Sequence, residues 1–271
     1  METERRSNRT IWIILGLIVV LACCCLLAAA VAFLVVADRT IDLSGPDLSP
    51  GRVSDSAERA FDVGAAPLLE VDNFAGEINV TAGEPGVIRV IATRRAPGRG
   101  DLDNIRIEYN ELDNGLHIVT SLPSARPSNR SIDFDIEVPS DARVVVDSGA
   151  GPVIVHGVAG ELDLHTGAGE VIATGARGGG RLDTGAGAVR YEGEPTGDLS
   201  LQTGAGEIVI ALPSNANVNL DLSTGIGEVD VDAFDVTGDV SPRNVDGVIG
   251  SGGPTITAGV GAGSIQVVVL R

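Results

Sequence analysis

The chain has 271 residues, is 44% hydrophobic but only 3% aromatic, and carries a formal net charge of -18 with no lysine. Such acidity argues against a surface for nucleic acid or anionic lipid, because phosphates would be repelled. The length allows one or two domains, and the scarcity of aromatic residues means that any core must be built from Val, Ile, Leu and Ala.

Residues 1–10 contain Arg5, Arg6 and Arg9 against Glu2 and Glu4, a short basic tail. The next segment, Ile11 to Ala37, reads IWIILGLIVVLACCCLLAAAVAFLVVA and has no charge. About 20 apolar residues cross a bilayer as a helix, so the segment predicts a single transmembrane helix over 11–37. A cleaved signal peptide is the competing reading, but its apolar core is shorter, about 7–15 residues. Arginines before the span place residues 1–10 in the cytoplasm and the rest outside it, as a single-pass cell-membrane protein. Cys23, Cys24 and Cys25 are the only cysteines and all lie in the span, so the remainder can form no disulfide.

Residues 38–66 mix Pro, Gly, Ser and Asp without periodicity and predict a linker. From there to residue 271 the pattern is short alternating runs: LLEVDNF, GEINVTA, VIRVIATR, IRIEYNE, LHIVTS, IDFDIEVPS. Apolar residues at every second position, bounded by turn residues, signal half-buried strands. Residues 67–271 are therefore expected to form one extracytoplasmic β-repeat domain.

A glycine-rich phrase recurs in it: SGAGPVIV from Ser148, TGAGEVIA from Thr166, TGAGAVRY from Thr184, TGAGEIVI from Thr203, TGIGEVDV from Thr224 and VGAGSIQV from Val260. First glycines are separated by 18, 18, 19, 21 and 36 residues, and the last gap predicts a degenerate copy near 242–250. A period this short excludes helical repeats and fits a coil of stacked strands. Stacking aligns Val146, Leu164, Leu182, Leu201 and Leu222. It also aligns Val153, Val171, Val189, Ile208 and Val229, and then Val155, Ala173, Tyr191, Ile210 and Val231. The positions between vary freely, as outward positions should. The fold class expected is all-β, a parallel β-solenoid or β-helix of about 18–20 residues per turn, preceded by the transmembrane helix.

Parity flips at each repeat, which predicts a corner where glycine supplies positive φ and Ala168 fits inside. The same parity turns Ser148, Thr166, Thr184, Thr203 and Thr224 inward, as a ladder of hydroxyls. A phosphate-binding loop would instead need one glycine turn leading into a helix, often with a lysine. Each turn here leads into a strand.

These motifs resemble a bacterial family: membrane-anchored β-strand-repeat proteins of unknown function, known as the putative adhesin family. The resemblance rests on VDNFAGEINV, the VPSDARVVVDSGAG transition at Val138–Gly151, the following G-x-G-E-[VI] repeats and LPSNANVNLDLSTGIG at Leu212–Gly227. It implies a β-helix-like fold at the cell surface and brings no catalytic residues.

No nucleophile elbow, HExxH or CxxC motif occurs. His117, His156 and His165 are the only histidines, and His165 shares an outward column with Asp147, Asp183, Gln202 and Ser223. Glu170, Glu207 and Glu228 follow repeated glycines and are the candidate metal ligands, for calcium, but Pro152 and Ala188 interrupt their column. No catalytic residue or cofactor is expected. The reading is a non-enzymatic cell-surface module for structure, adhesion or partner binding. The alternatives are a carbohydrate-active enzyme on a β-helix and an envelope-sensing signalling accessory. Expected partners are an envelope protein or glycan, the membrane through the N-terminal helix, and further copies through open solenoid ends, since SIQVVVL closes the chain as an uncapped apolar strand.

Overall fold

The structure, a computed structural model, describes residues 53–122 and 129–270. The predicted transmembrane helix over 11–37 lies outside these residues. Among the described residues no helix is long and apolar enough to cross a membrane, so the single-pass localisation is not retained.

Alternation in the sequence becomes strands throughout. In chain order these are β1 (Val53–Asp62), β2 (Leu68–Asn73), β3 (Ile78–Gly83), β4 (Val87–Ala96), β5 (Arg106–Leu112), β6 (Gly115–Ser121) and β7 (Ser131–Pro139). There follow β8 (Arg143–Ser148), β9 (Val153–His156), β10 (Leu162–Thr166), β11 (Val171–Ala176), β12 (Gly180–Ala186), β13 (Val189–Gly193) and β14 (Leu199–Leu212). The last are β15 (Val218–Ile226), β16 (Val229–Asp230), β17 (Val236–Ser241), β18 (Asn244–Ile249) and β19 (Thr255–Val269). Among the described residues there is one short helix, Arg99–Leu102, which buries Leu102 beside β4. Strand β1 lies within the stretch read as linker and pairs antiparallel with β4 along its full length.

Most strands fall into two ladders. One runs β5–β6–β2–β8–β10–β12–β14–β19–β15–β18–β17. The other runs β1–β4–β7–β3–β9–β11–β13–β14–β19–β16. The repeat units pair in parallel at the period read from the glycines: Leu164 faces Val146 on one side and Leu182 on the other. Inward columns from both ladders, including Leu69, Val71, Val146, Leu164, Val171, Val189, Ile208 and Ile265, are fully or almost fully buried in one core.

The chain is all-β, but the parallel β-solenoid is corrected. All 19 strands form one sheet, which curls into a nearly closed, barrel-shaped wall. Two findings overturn the serial coil. Strands β14 and β19 run unbroken through the glycine corner, so the two ladders are one sheet there. The spatial order also departs from the chain order. Strand β19 inserts between β14 and β15, so Ala258 separates Leu201 from Leu222. Likewise β2 lies between β6 and β8.

Two further expectations fall with it. No repeat copy occupies 242–250, because β18 there runs antiparallel to β15 and forms a hairpin with β17. The C-terminal strand is not an open end from Ile256 to Ala262, where β14 and β15 flank it.

Candidate functional site

The corner carries the repeated motif, and its geometry explains the motif residue by residue. Gly151, Gly169, Gly187 and Gly206 have φ between 119° and 153°. A Cβ on Gly187 would also lie 2.0 Å from the Gly169 carbonyl oxygen of the neighbouring strand. Both the dihedral and the close approach therefore demand glycine.

The hydroxyl column is buried, as parity requires. It is not a ladder of hydroxyls bonding one another. Thr166 donates to Gly151 O at 3.0 Å, Thr184 to Gly169 O at 2.9 Å, Thr203 to Gly187 O at 3.0 Å and Thr224 to Gly263 O at 2.9 Å. Each hydroxyl ties its strand to the corner carbonyl of the adjacent layer. Ser148 is 1% exposed and its hydroxyl has no partner.

Ala168 does not fit inside the corner but is exposed on its outside. The parity argument missed this because the two glycines beside it turn the chain outward. Ala186, Ala205, Ala262 and Ile226 stack in register with one another on the same ridge. Ile226 is 72% exposed, so large side chains are sterically admissible there.

The structure does not bring the three candidate glutamates together. Glu170 and Glu228 are exposed, and Glu207 is half-buried. Ala188 stands between Glu170 and Glu207, since Val189 pairs with both Val171 and Ile208. Ser264 pairs with Glu207 and stands between it and Glu228, whose carbonyl accepts from Ile265 at 3.0 Å. Alternate strands lie about 9.6 Å apart, so no two of the glutamates are neighbours. Among the described residues no group of three His, Cys, Asp or Glu side chains is placed to hold a metal ion.

The histidines sit on outward faces. His117 Nε2 is 2.9 Å from Asp72, His165 Nδ1 is 3.4 Å from Asp183, and His156 bonds Thr174. The phenols are displaced instead. Burial pushes Tyr191 well above its ordinary value, with Glu194 adding to the shift, and its hydroxyl donates to Ala176 O at 3.1 Å. Burial also raises Tyr109, against the opposing charges of Arg59 and Arg94.

The largest concavity among those described lies where β19 ends, and sequence reasoning did not place it. It is a groove of about 730 Å³ lined by Ala211, Ala233, Val268, Val269 and Leu270, with Arg190 and Glu192 at one side. Arg190 Nε and Glu192 Oε1 pair at 2.5 Å along β13. Val269 and Leu270 remain 37% and 39% exposed. The available signal was the charge-free run Val267–Leu270. A second, smaller hollow of 420 Å³ gathers Glu228, Asp230, Asp232 and Val240.

Comparison with known proteins is sparse. No family model matches the chain and no curated protein is similar to it, so the family resemblance rests on its motifs alone. Solved bacterial structures are similar in outline. A putative cell adhesion protein from Clostridium sporogenes is 15% identical with a TM-score of 0.45, covering 80% of this chain and 100% of that one. A putative adhesin from Bacteroides fragilis is 11% identical with a TM-score of 0.35, covering 79% and 97%. A putative lipid binding protein from Parabacteroides distasonis is 10% identical with a TM-score of 0.28, covering 80% and 97%. Similarities this slight establish neither a family nor a function.

Proposed function

We propose that this chain is a non-enzymatic adhesion or partner-binding module. The observation that carries the reading is the division of labour across the wall. Every inward column is spent on packing or on tying layers together. The outward columns vary and are largely polar, and the groove at the end of β19 is mostly apolar with an ion pair at its side. Exposed polar faces beside an apolar groove suit macromolecular contact. A carbohydrate-cleaving site would instead need acids facing one another across a cleft; the candidate glutamates stand on alternate strands, and the acids of the smaller hollow, Glu228, Asp230 and Asp232, all belong to one five-residue segment.

The test is saturable binding of the immobilised full-length chain to an envelope fraction of its source cell, with and without calcium, alongside turnover assays on envelope polysaccharides. Saturable binding to a protein or glycan without turnover is the expected result. Turnover lost on substituting Glu170, Glu207 or Glu228 would replace this reading with the enzyme.

A further inference from the structure

We infer that the free edge of β19 at Val267–Val269 accepts an extended strand from a partner protein, one that alternates apolar with basic residues. The inference rests on the partner-binding reading and names its site and chemistry.

Among the described residues no strand pairs with this edge beyond β16, which is only two residues long. Strand β16 pairs with β19 only at Ile265 and Gln266, whereas β14 accompanies β19 as far as Val269. Hydrogen bonds fix which groups face out. Ile265 N–H donates toward the β16 side, to Glu228 O at 3.0 Å, and Leu270 N–H toward the β14 side, to Leu212 O at 2.7 Å. Strand direction alternates with period two, so Val267 and Val269 face the same side; the Asp230–Gln266 pairing takes up the Val267 N–H, and the Val267 carbonyl and both backbone groups of Val269 lie beyond the last β16 pair. These N–H and C=O groups can take a further strand, as in strand-addition recognition.

Comparison with the other strands paired on one side only sharpens the case. Strand β1 carries Asp55, Glu58, Arg59 and Asp62; β5 carries Arg106, Glu108 and Glu111; β17 carries Asp239. Charges of this kind discourage edge-to-edge pairing. Val267–Leu270 carries none and borders the 730 Å³ groove, which offers apolar wall to alternate side chains of an added strand.

Charge selects the occupant. Glu192 lines the groove but is neutralised by Arg190, so the rim charge comes from Asp230, in register with Gln266 immediately before the open edge, and from Asp232, which adjoins groove residue Ala233. With the chain at -18, a second copy would bring like charges to this rim, whereas a basic strand would be drawn to it.

The experiment uses the full-length chain in mild detergent, since residues 11–37 are apolar. Its probe is a fluorescein-labelled Lys-Val-Lys-Val-Lys-Ile peptide, followed by anisotropy. Saturable binding is expected, at least about tenfold weaker for the matching Glu-Val-Glu-Val-Glu-Ile peptide and weakening as salt rises. Val269→Pro removes an outward N–H while leaving the β14 ladder intact, and it should abolish binding with an unchanged circular dichroism melt. Because that variant could unfold locally, Asp230→Asn with Asp232→Asn supplies a second arm, expected to weaken the basic peptide severalfold. Equal binding to Val269→Pro, equal binding of the acidic peptide, or self-association that the peptide competes away would each overturn the inference. Envelope binding that survives Val269→Pro would sink this site while sparing the partner-binding reading. Absence of any envelope partner would sink that reading instead.

Discussion

At the scale of residues, the buried hydroxyl column gives the sharpest expectations. Four threonines donate to corner glycine carbonyls, while Ser148 in the same column has no partner. The threonine methyl holds χ1 to few rotamers, which aims the hydroxyl. Ser148→Thr should therefore stabilise the fold by about 1 kcal/mol, read as a higher urea midpoint at unchanged slope. Tyr191 supplies a pH dependence. Its phenol is raised in the folded state, so the protein is unaffected below the ordinary phenol range. Above about pH 10 the unfolded chain sheds a proton that the folded chain keeps. Stability then falls as pH rises toward the folded value, by about 1.4 kcal/mol per pH unit for this group. Tyr191→Phe should lose the bond to Ala176 and flatten that alkaline slope. Unfolding midpoints between pH 8 and 11 measure both effects, and an unaltered slope would refute the burial argument.

At the scale of the element, the corner motif separates what geometry requires from what it permits. Gly187 lies at φ 146° with a backbone oxygen where a Cβ would go. Gly187→Ala should cost several kcal/mol, about 3 or more, because backbone rather than a movable side chain stands in the way. Ala168→Ser, one residue before the equivalent glycine, should stay within about 0.5 kcal/mol, being exposed. Thermal melts of the two variants decide whether the repeat is read correctly. The inward columns were legible from spacing alone, since apolar alternation has one cause. The facing of Ala168 was not, because counting parity through two glycines assumes an extended chain. The hydroxyl acceptors were not legible either, as they depend on which carbonyl the neighbouring layer presents.

At the scale of the whole molecule, the order of strands is the decisive feature. A serial coil shortened at its C-terminus would lose its last turn and keep the rest. Here β19 is an interior strand with neighbours on both sides. A chain stopped after Gly253 should therefore lose cooperative unfolding, because Leu201 and Leu222 would each face a missing Ala258. Retention of a sharp melt with only slightly lower midpoint would restore the serial arrangement. The candidate site is legible in the same uneven way. The glutamates stood out in sequence but lie on alternate strands, whereas the groove brings β13, β14, β19 and the segment after β16 together from four places in the chain.

The sequence by itself determined that this is a β protein, which Val, Leu and Ile columns point inward, the repeat period and the need for glycine at the corners. All of these follow from local alternation and local sterics. Only the tertiary structure decided that β19 inserts between β14 and β15, that the sheet curls until it is nearly closed, and that one uncharged edge stays open beside a groove. Those depend on which strand meets which. Every repeat unit offers its neighbours nearly the same backbone and the same apolar columns, so the sequence alone cannot rank one pairing over another.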